Sequence, residues 1–180
     1  MQLISSRTLG TAQSSEQQPI GYSSAALRQD LERVRTAWDD CQATRDRDVI
    51  YGNLTAVFAL VAWWTTEGQE IDRAHRALRL CRLEVSERED TFAAVIRCTA
   101  DPAKADKRTR SKWSRVMRYA VGYKLVCEPL EQFVKRRGGI NACAARFTRV
   151  GQRAGKRLGR RLARRSELTW REQRERTHKK

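Results

Sequence analysis

Apolar residues along the first helical segment recur at steps of three and four positions, the repeat of one face of an α-helix. This face consists of Leu27, Leu31, Val34, Trp38 and Cys41. Ser23 or Ser24 precedes it and is predicted to cap the helix through its hydroxyl oxygen. The stripe fits two structures, a face buried in a helical bundle or the seam of a homodimer through the 24–45 helix. Its short length for a coiled coil favours the bundle.

Three more helices are predicted before residue 101. Residues 54–64 are almost continuously apolar, which predicts a central core helix that ends at Gly68. Ser86 followed by Glu89 has the spacing of a capping box, so a helix is predicted to start there. In the helices on either side of this box, the inward positions are predicted to be Ile71, Ala74, Leu78, Cys81, Phe92, Val95 and Ile96.

A cationic amphipathic helix is predicted after the break at Asp101-Pro102. Asp106 is placed to cap it. Its apolar stripe comprises Trp113, Val116, Met117, Ala120 and Val121. Pro129 marks the start of another helix. No segment alternates strongly enough to predict a strand, so the expected fold is all-α, a helical bundle with a basic carboxy-terminal part.

The chain divides into a leader, a helical domain and a basic extension. Residues 1–23 are rich in Ser and Gln, lack periodicity and are predicted to be flexible. The helical domain covers residues 24–150, with a near-neutral bundle over 24–100 and basic helices over 106–150. Residues 151–180 mix glycines with many arginines and are predicted to be partly disordered until they meet a partner.

Charge is distributed unevenly along the chain. Residues 1–100 hold 12 Lys and Arg against 14 Asp and Glu, whereas residues 101–180 hold 25 against 7. The resulting net charges of −2 and +18 together give the +16 of the whole chain. Such asymmetry is typical of a protein that binds a polyanion, most commonly nucleic acid. Of the cations 29 are Arg, whose guanidinium group holds phosphate in a bidentate fork.

The cysteines carry no metal-binding pattern. The five of them, at positions 41, 81, 98, 127 and 143, form no CxxC pair, and the two histidines have no partner at zinc spacing. We therefore expect reduced thiols used as small apolar side chains, no metal and no cofactor. The absence of a phosphate-binding glycine loop or a nucleophile motif predicts that the chain is not an enzyme.

No segment has the pattern of a secretory signal or of a membrane span. We therefore expect a soluble, cytoplasmic protein that makes no membrane contact. Its basic, helical character is of the kind found in bacterial, plasmid-encoded or phage-encoded regulators, and we expect such a source.

Residues 128–150 predict two short helices joined by a glycine turn. Pro129 starts the first helix, and Gly138 is placed to end it in the left-handed conformation. Asn141 is predicted to cap the second helix. The facing apolar positions are predicted to be Leu130, Phe133, Val134, Ala144 and Phe147. This layout resembles the helix-turn-helix of DNA-binding proteins, over residues 129–150 and at the level of the broad superfamily.

The resemblance implies that the second helix enters the major groove of duplex DNA. Its outward face would carry Ala142, Ala145, Arg146 and Arg149, and Asn141, where its role as cap leaves it free, would touch a phosphate or a base. Arg146 and Arg149 would reach guanine edges, and Arg136 and Arg137 would lie near the sugar-phosphate backbone. Further phosphate contacts are predicted, from charge alone, for Arg153, Lys156, Arg157, Arg160 and Arg161.

The sequence therefore favours a protein that binds duplex DNA sequence-specifically and acts as a transcriptional regulator. RNA binding through the Arg-rich segment stays open. Exposed aromatic rings among the cations would favour it, and the candidates are Trp113, Tyr119 and Tyr123, with a core position expected for Trp113. A third hypothesis is an adaptor that binds an acidic protein partner.

Overall fold

Every regular element is a helix in the computed structural model, which describes residues 22–44 and 47–153. The helices are α1 (Ser24–Ala43), α2 (Ile50–Thr66), α3 (Glu70–Leu80), α4 (Thr91–Thr99), α5 (Lys107–Tyr123) and α6 (Leu130–Arg136), and a 3-10 turn, Arg47–Val49, precedes α2. A last helix, α7, covers residues 139–153. The predicted all-α class is confirmed. The predicted leader, apart from its last two residues, and the extension beyond residue 153 lie outside the described ranges.

The apolar stripe of α1 is a bundle face. All five of its predicted members are buried, and they pack against α2 and α4. Ser23 caps the helix, since its Oγ accepts a hydrogen bond of 3.1 Å from the backbone N–H of Ala26. The stripe is covered within the same chain, as the bundle interpretation predicts, and a homodimer through the 24–45 helix stays a prediction.

Helix α2 forms the centre of the core. Leu54, Val57 and Trp64 are fully buried, and the helix contacts α1, α4 and α6. It ends where predicted, at Gly68, which has φ +66°. Hydrophobic burial of this continuous apolar run is the main force that holds the surrounding helices together.

The inward face of α3 differs from the prediction. Ile71 is 59% exposed, while Arg73 is buried. The Arg73 guanidinium lies against two aromatic rings, 4.0 Å from the ring centroid of Tyr22 and 4.9 Å from that of Trp63, and it pairs with the carboxylate of Glu67. Stacking and ion pairing together offset the cost of burying this charge. The prediction from the sequence placed the apolar side chain of Ile71 inward and did not place Arg73 in the core.

Helix α4 starts later than the predicted capping box. Ser86 and Glu89 form only a backbone turn, and the N-cap is Asp90, whose carboxylate accepts bonds of 3.2 Å from the N–H groups of Phe92 and Ala93. The carboxylate stands directly before the helix, so it satisfies two amides that have no partner within the helix. Phe92, with Val95 and Ile96 one turn later, is buried as predicted.

We expect Asp90→Ala to lower the free energy of unfolding by about 1–2 kcal/mol, because two amides of α4 lose their acceptor. The hydroxyl of Ser114, which is buried and donates to Asp90, loses its partner as well. Ser86→Ala is the matched control, with a change below about 0.5 kcal/mol expected. Urea unfolding followed by circular dichroism measures both. Equal losses in the two variants would contradict the cap assignment.

Helix α5 is capped as predicted by Asp106, whose Oδ1 accepts a bond of 2.7 Å from the N–H of Thr109. Hydrogen bonds from the Thr109 side chain and from its backbone N–H lower the pKa of the Asp106 carboxyl. Trp113 is buried and meets Trp38 edge to face, so its predicted core position is confirmed. Val121 is 65% exposed, and its predicted inward position is wrong. Tyr119 is buried instead, because α6 covers that side of the helix.

The cysteines are all free thiols. Burial raises the pKa of Cys41, Cys98 and Cys143, so these thiols stay protonated near neutral pH and act as small apolar groups. Among the described residues, no three His, Cys, Asp or Glu side chains are grouped to hold a metal ion. None of the helices in residues 22–44 and 47–153 is long and apolar enough to span a membrane.

Candidate functional site

Helices α6 and α7 are joined by a two-residue turn, Arg137 and Gly138. Gly138 adopts φ +87°, the left-handed conformation that was predicted for it, and Gly139 follows at φ +86°. Pro129 immediately precedes α6 as its N-cap residue. Helix α7 begins at residue 139, before Asn141, so Asn141 lies inside the helix with an exposed side chain and its predicted role as cap is wrong.

Helix α7 is held in place by both α5 and α6. Towards α6, its Cys143 and Ala144 are buried. Towards α5, Thr148 accepts a hydrogen bond of 3.3 Å from Nη1 of Arg115, and the Phe147 ring lies under the guanidinium of Arg118, at 4.6 Å. Phe147 was predicted to pack against α6. It is partly buried against the core and contacts Arg118 of α5.

Helix α6 is in turn anchored in the bundle. Its inner face, Leu130, Phe133 and Val134, is buried as predicted. The ring of Phe133 lies 5.8 Å from that of Tyr119 on α5, and α6 also packs against α2. The position of α7 is therefore determined by the core of the protein.

Gly138→Ala is expected to lower the free energy of unfolding by about 1–2 kcal/mol, the cost of placing a side chain in the left-handed conformation. Space is tight as well, since an added Cβ would lie 3.3 Å from the Cβ of Ala142. Gly52→Ala, in an ordinary conformation in α2 with no atom within 4 Å of the new Cβ, is the control. It should stabilise the protein slightly. The melting temperature should fall in Gly138→Ala and rise slightly in Gly52→Ala. A Gly138→Ala protein with the wild-type melting temperature would show that a side chain at position 138 is not strained.

The outward face of α7 carries an exposed line of side chains at four-residue steps. We call it the outer stripe, and it consists of Asn141, Ala145, Arg149 and Arg153. The predicted Ala142 lies beside it and is half-buried. Within the described ranges, no carboxylate lies within 4.0 Å of the Arg149 or Arg153 guanidinium. The stripe thus presents one amide, one methyl group and two uncompensated charges to the outside.

Arg146 is not part of this stripe. Its Nη1 donates a hydrogen bond to the backbone carbonyl of Arg137 at the end of α6, and its side chain is half-buried. The bond satisfies a carbonyl that has no partner within the helix. Arg146 therefore stabilises the turn between the two helices, and the structure does not place its guanidinium where the prediction of base contact needs it.

The two predicted backbone-contact residues at the end of α6 are also engaged within the chain. Arg136 holds Glu128 in a bidentate pair, with Nε–Oε1 and Nη2–Oε2 distances of 2.8 Å. The Arg136 guanidinium lowers the pKa of the Glu128 carboxyl, and the carboxylate raises the pKa of Arg136. Arg137 is half-buried, with its guanidinium 5.7 Å from the ring centroid of Phe133.

Other predicted site residues lie outside the described ranges. They are Lys156, Arg157, Arg160 and Arg161. Of the aromatic residues considered for RNA stacking, Trp113 and Tyr119 are buried, and Tyr123 stacks on Tyr119 with ring centroids 4.6 Å apart.

No protein-family model, no curated protein and no solved structure matches the chain. Its function must therefore be inferred from the side chains and their positions.

Proposed function

We propose that this protein binds duplex DNA through the outer stripe of α7 and acts as a transcriptional regulator. The observation that carries the proposal is the exposure of Asn141, Ala145, Arg149 and Arg153 on a helix braced by two others. A helix held in this way presents its side chains in a fixed register, which base recognition requires. A loose basic tail would bind phosphates without distinguishing sequences.

The dimensions and chemistry of the outer stripe suit the major groove. Residues 141 and 153 are about 18 Å apart along the helix axis, the length of about five base pairs. An Arg side chain such as Arg149 matches the two acceptors of guanine, and an Asn such as Asn141 matches the acceptor and donor of adenine. The methyl group of Ala145 suits the thymine methyl.

Phosphate contacts would come from the ends of this surface. Arg153 is exposed in the last described turn of α7, and Lys156, Arg157, Arg160 and Arg161 follow it in the sequence. Such contacts fix the protein on the duplex and supply most of the affinity, while the outer stripe supplies the selectivity.

The salt dependence of binding tests the proposal. Fluorescence anisotropy with a labelled duplex between 50 and 200 mM salt should give a plot of log affinity against log salt with a slope of about −5 to −7, as expected for about six to eight neutralised phosphates. An affinity that does not change with salt would refute duplex binding through these cations.

RNA binding is the weaker candidate, because two of the three aromatic rings among the cations are buried in the core. Competition of structured RNA against the labelled duplex separates the two, and we expect the duplex to bind more tightly. For an adaptor of an acidic protein, a pull-down that survives nuclease treatment would be the distinguishing result.

A further inference from the structure

A second cationic surface lies away from the outer stripe. It is a cleft of about 690 Å³ between the amino-terminal end of α4, one face of α5 and the inner side of α7. We call it the α4–α5 cleft. The face of α5 that lines it carries no large apolar side chain, and its members are Lys107, Arg110, Ser111, Ser114, Arg115 and Arg118. None of these cations was singled out from the sequence as part of a site.

The acidic groups of the cleft do not neutralise these cations. Glu89 pairs with Arg97, and the Asp90 carboxylate accepts from two backbone amides of α4 and from Ser114. Glu84 is exposed at the rim. Among the described residues, five cations of the cleft have no carboxylate within 4.0 Å, and they are Arg88, Lys107, Arg110, Arg115 and Arg118.

Two of these guanidinium groups are held in place by neutral partners. Arg115 donates through Nε to the carbonyl of Ser111, at 3.2 Å, and through Nη1 to the hydroxyl of Thr148. Arg118 lies over the Phe147 ring. These contacts restrict the side chains without cancelling their charge, so less conformational entropy is lost when an anion binds. Several uncompensated positive charges in one concave space attract an anion strongly.

We propose that the α4–α5 cleft is a phosphate-binding site, in which Arg115 and Arg118 hold the phosphate oxygens. Arginine forks and hydroxyl groups such as that of Ser111 are the side chains that bind phosphate best. The phosphate has two sources with the same chemistry, the backbone of a duplex that lies along α7 or a free phosphorylated compound. The cleft volume lies in the range of small-molecule sites. This inference goes beyond the proposed function and does not require base reading.

The test uses the full chain in two arms. In the first, calorimetry measures the binding of inorganic tripolyphosphate. In the second, anisotropy measures the affinity for a duplex of random sequence at several salt concentrations. Each arm compares the wild type, R115Q/R118Q and the rim variant R88Q/K107Q, whose two positions are exposed. R79Q, an exposed arginine on α3 away from the cleft, is the matched control. Thermal melts check that each variant is folded.

We expect both cleft variants to lose at least about tenfold in affinity in one or both arms, while R79Q behaves as the wild type. A loss of affinity confined to the duplex arm identifies the DNA backbone as the source of the bound phosphate. The slope of log affinity against log salt should then be smaller in magnitude by about two. A loss with tripolyphosphate identifies a free phosphate compound, even if no duplex binds. Cleft variants equal to R79Q in both arms would overturn the site, and would leave duplex binding through the outer stripe intact if the wild type binds DNA.

Discussion

Phe133→Ala is expected to lower the free energy of unfolding by about 3–5 kcal/mol. The ring is fully buried and packs against Tyr119, so its removal leaves a cavity where α5 and α6 meet. Since α7 is held by α5 and α6, its attachment weakens as well. Chemical denaturation measures the loss, and hydrogen exchange should show faster exchange of the α7 amides.

The matched control for this variant is Val126→Ala. Val126 is 101% exposed in the segment between α5 and α6, so its truncation removes an apolar side chain without opening a cavity. We expect a change below about 0.5 kcal/mol. A Phe133→Ala protein as stable as Val126→Ala would show that α6 is not anchored in the core as described.

The second large effect separates two neighbouring arginines of α7. Arg149→Ala is expected to reduce the affinity for a preferred DNA site by about 1–3 kcal/mol, roughly 5- to 150-fold, because the proposed bidentate base contact is lost. Its stability should stay unchanged, because the side chain is exposed and has no carboxylate partner within the described ranges. Affinity for duplexes of unrelated sequence should fall much less.

Arg146→Ala should show the opposite behaviour. It removes the hydrogen bond to the Arg137 carbonyl, so we expect a loss of about 1–2 kcal/mol in stability and little loss of sequence preference below the unfolding transition. Melting temperatures and anisotropy on a preferred and an unrelated duplex measure the two effects. If Arg146→Ala abolished sequence preference while Arg149→Ala retained it, the assignment of the outer stripe would be wrong.

Local patterns in the sequence were sufficient to predict which segments are helical. The spacing of Leu27 to Cys41 predicts the buried face of α1, and the positions of Asp106 and Gly138 predict a cap and a helix end. These features depend on the residues of one helix and its ends, so the sequence contains the necessary information. The all-α class follows from them.

What the sequence could not predict depends on which helix covers which face. Tyr119 is buried because α6 crosses α5 there, and Arg73 is buried because it lies against the rings of Tyr22, before α1, and Trp63 of α2. The α4–α5 cleft is the same kind of feature, since its cations come from three separate segments. Periodicity within a single helix carries no information about such neighbours.

The residues predicted for the candidate site fall into two groups in the structure. Ala145, Arg149 and Arg153 are exposed as the prediction requires, and Asn141, which was predicted to cap the helix, is exposed as well. Arg136 and Arg146 are occupied by a carboxylate and a carbonyl of the same chain, and no spacing rule distinguishes an arginine that binds a partner from one that closes a turn. The glycine turn brings Arg146 back towards α6, and only the geometry of that turn shows it.

The central claim is that α7, held by α5 and α6, reads duplex DNA through its outer stripe. Selection of bound sequences from a random duplex pool, at near-physiological salt, tests it most directly. The wild type should enrich one motif of about five base pairs. The double variant Asn141→Ala/Arg149→Ala should lose that enrichment but still bind duplex DNA without sequence preference. A wild-type pool without any enriched motif, or the same motif enriched by the double variant, would contradict the claim.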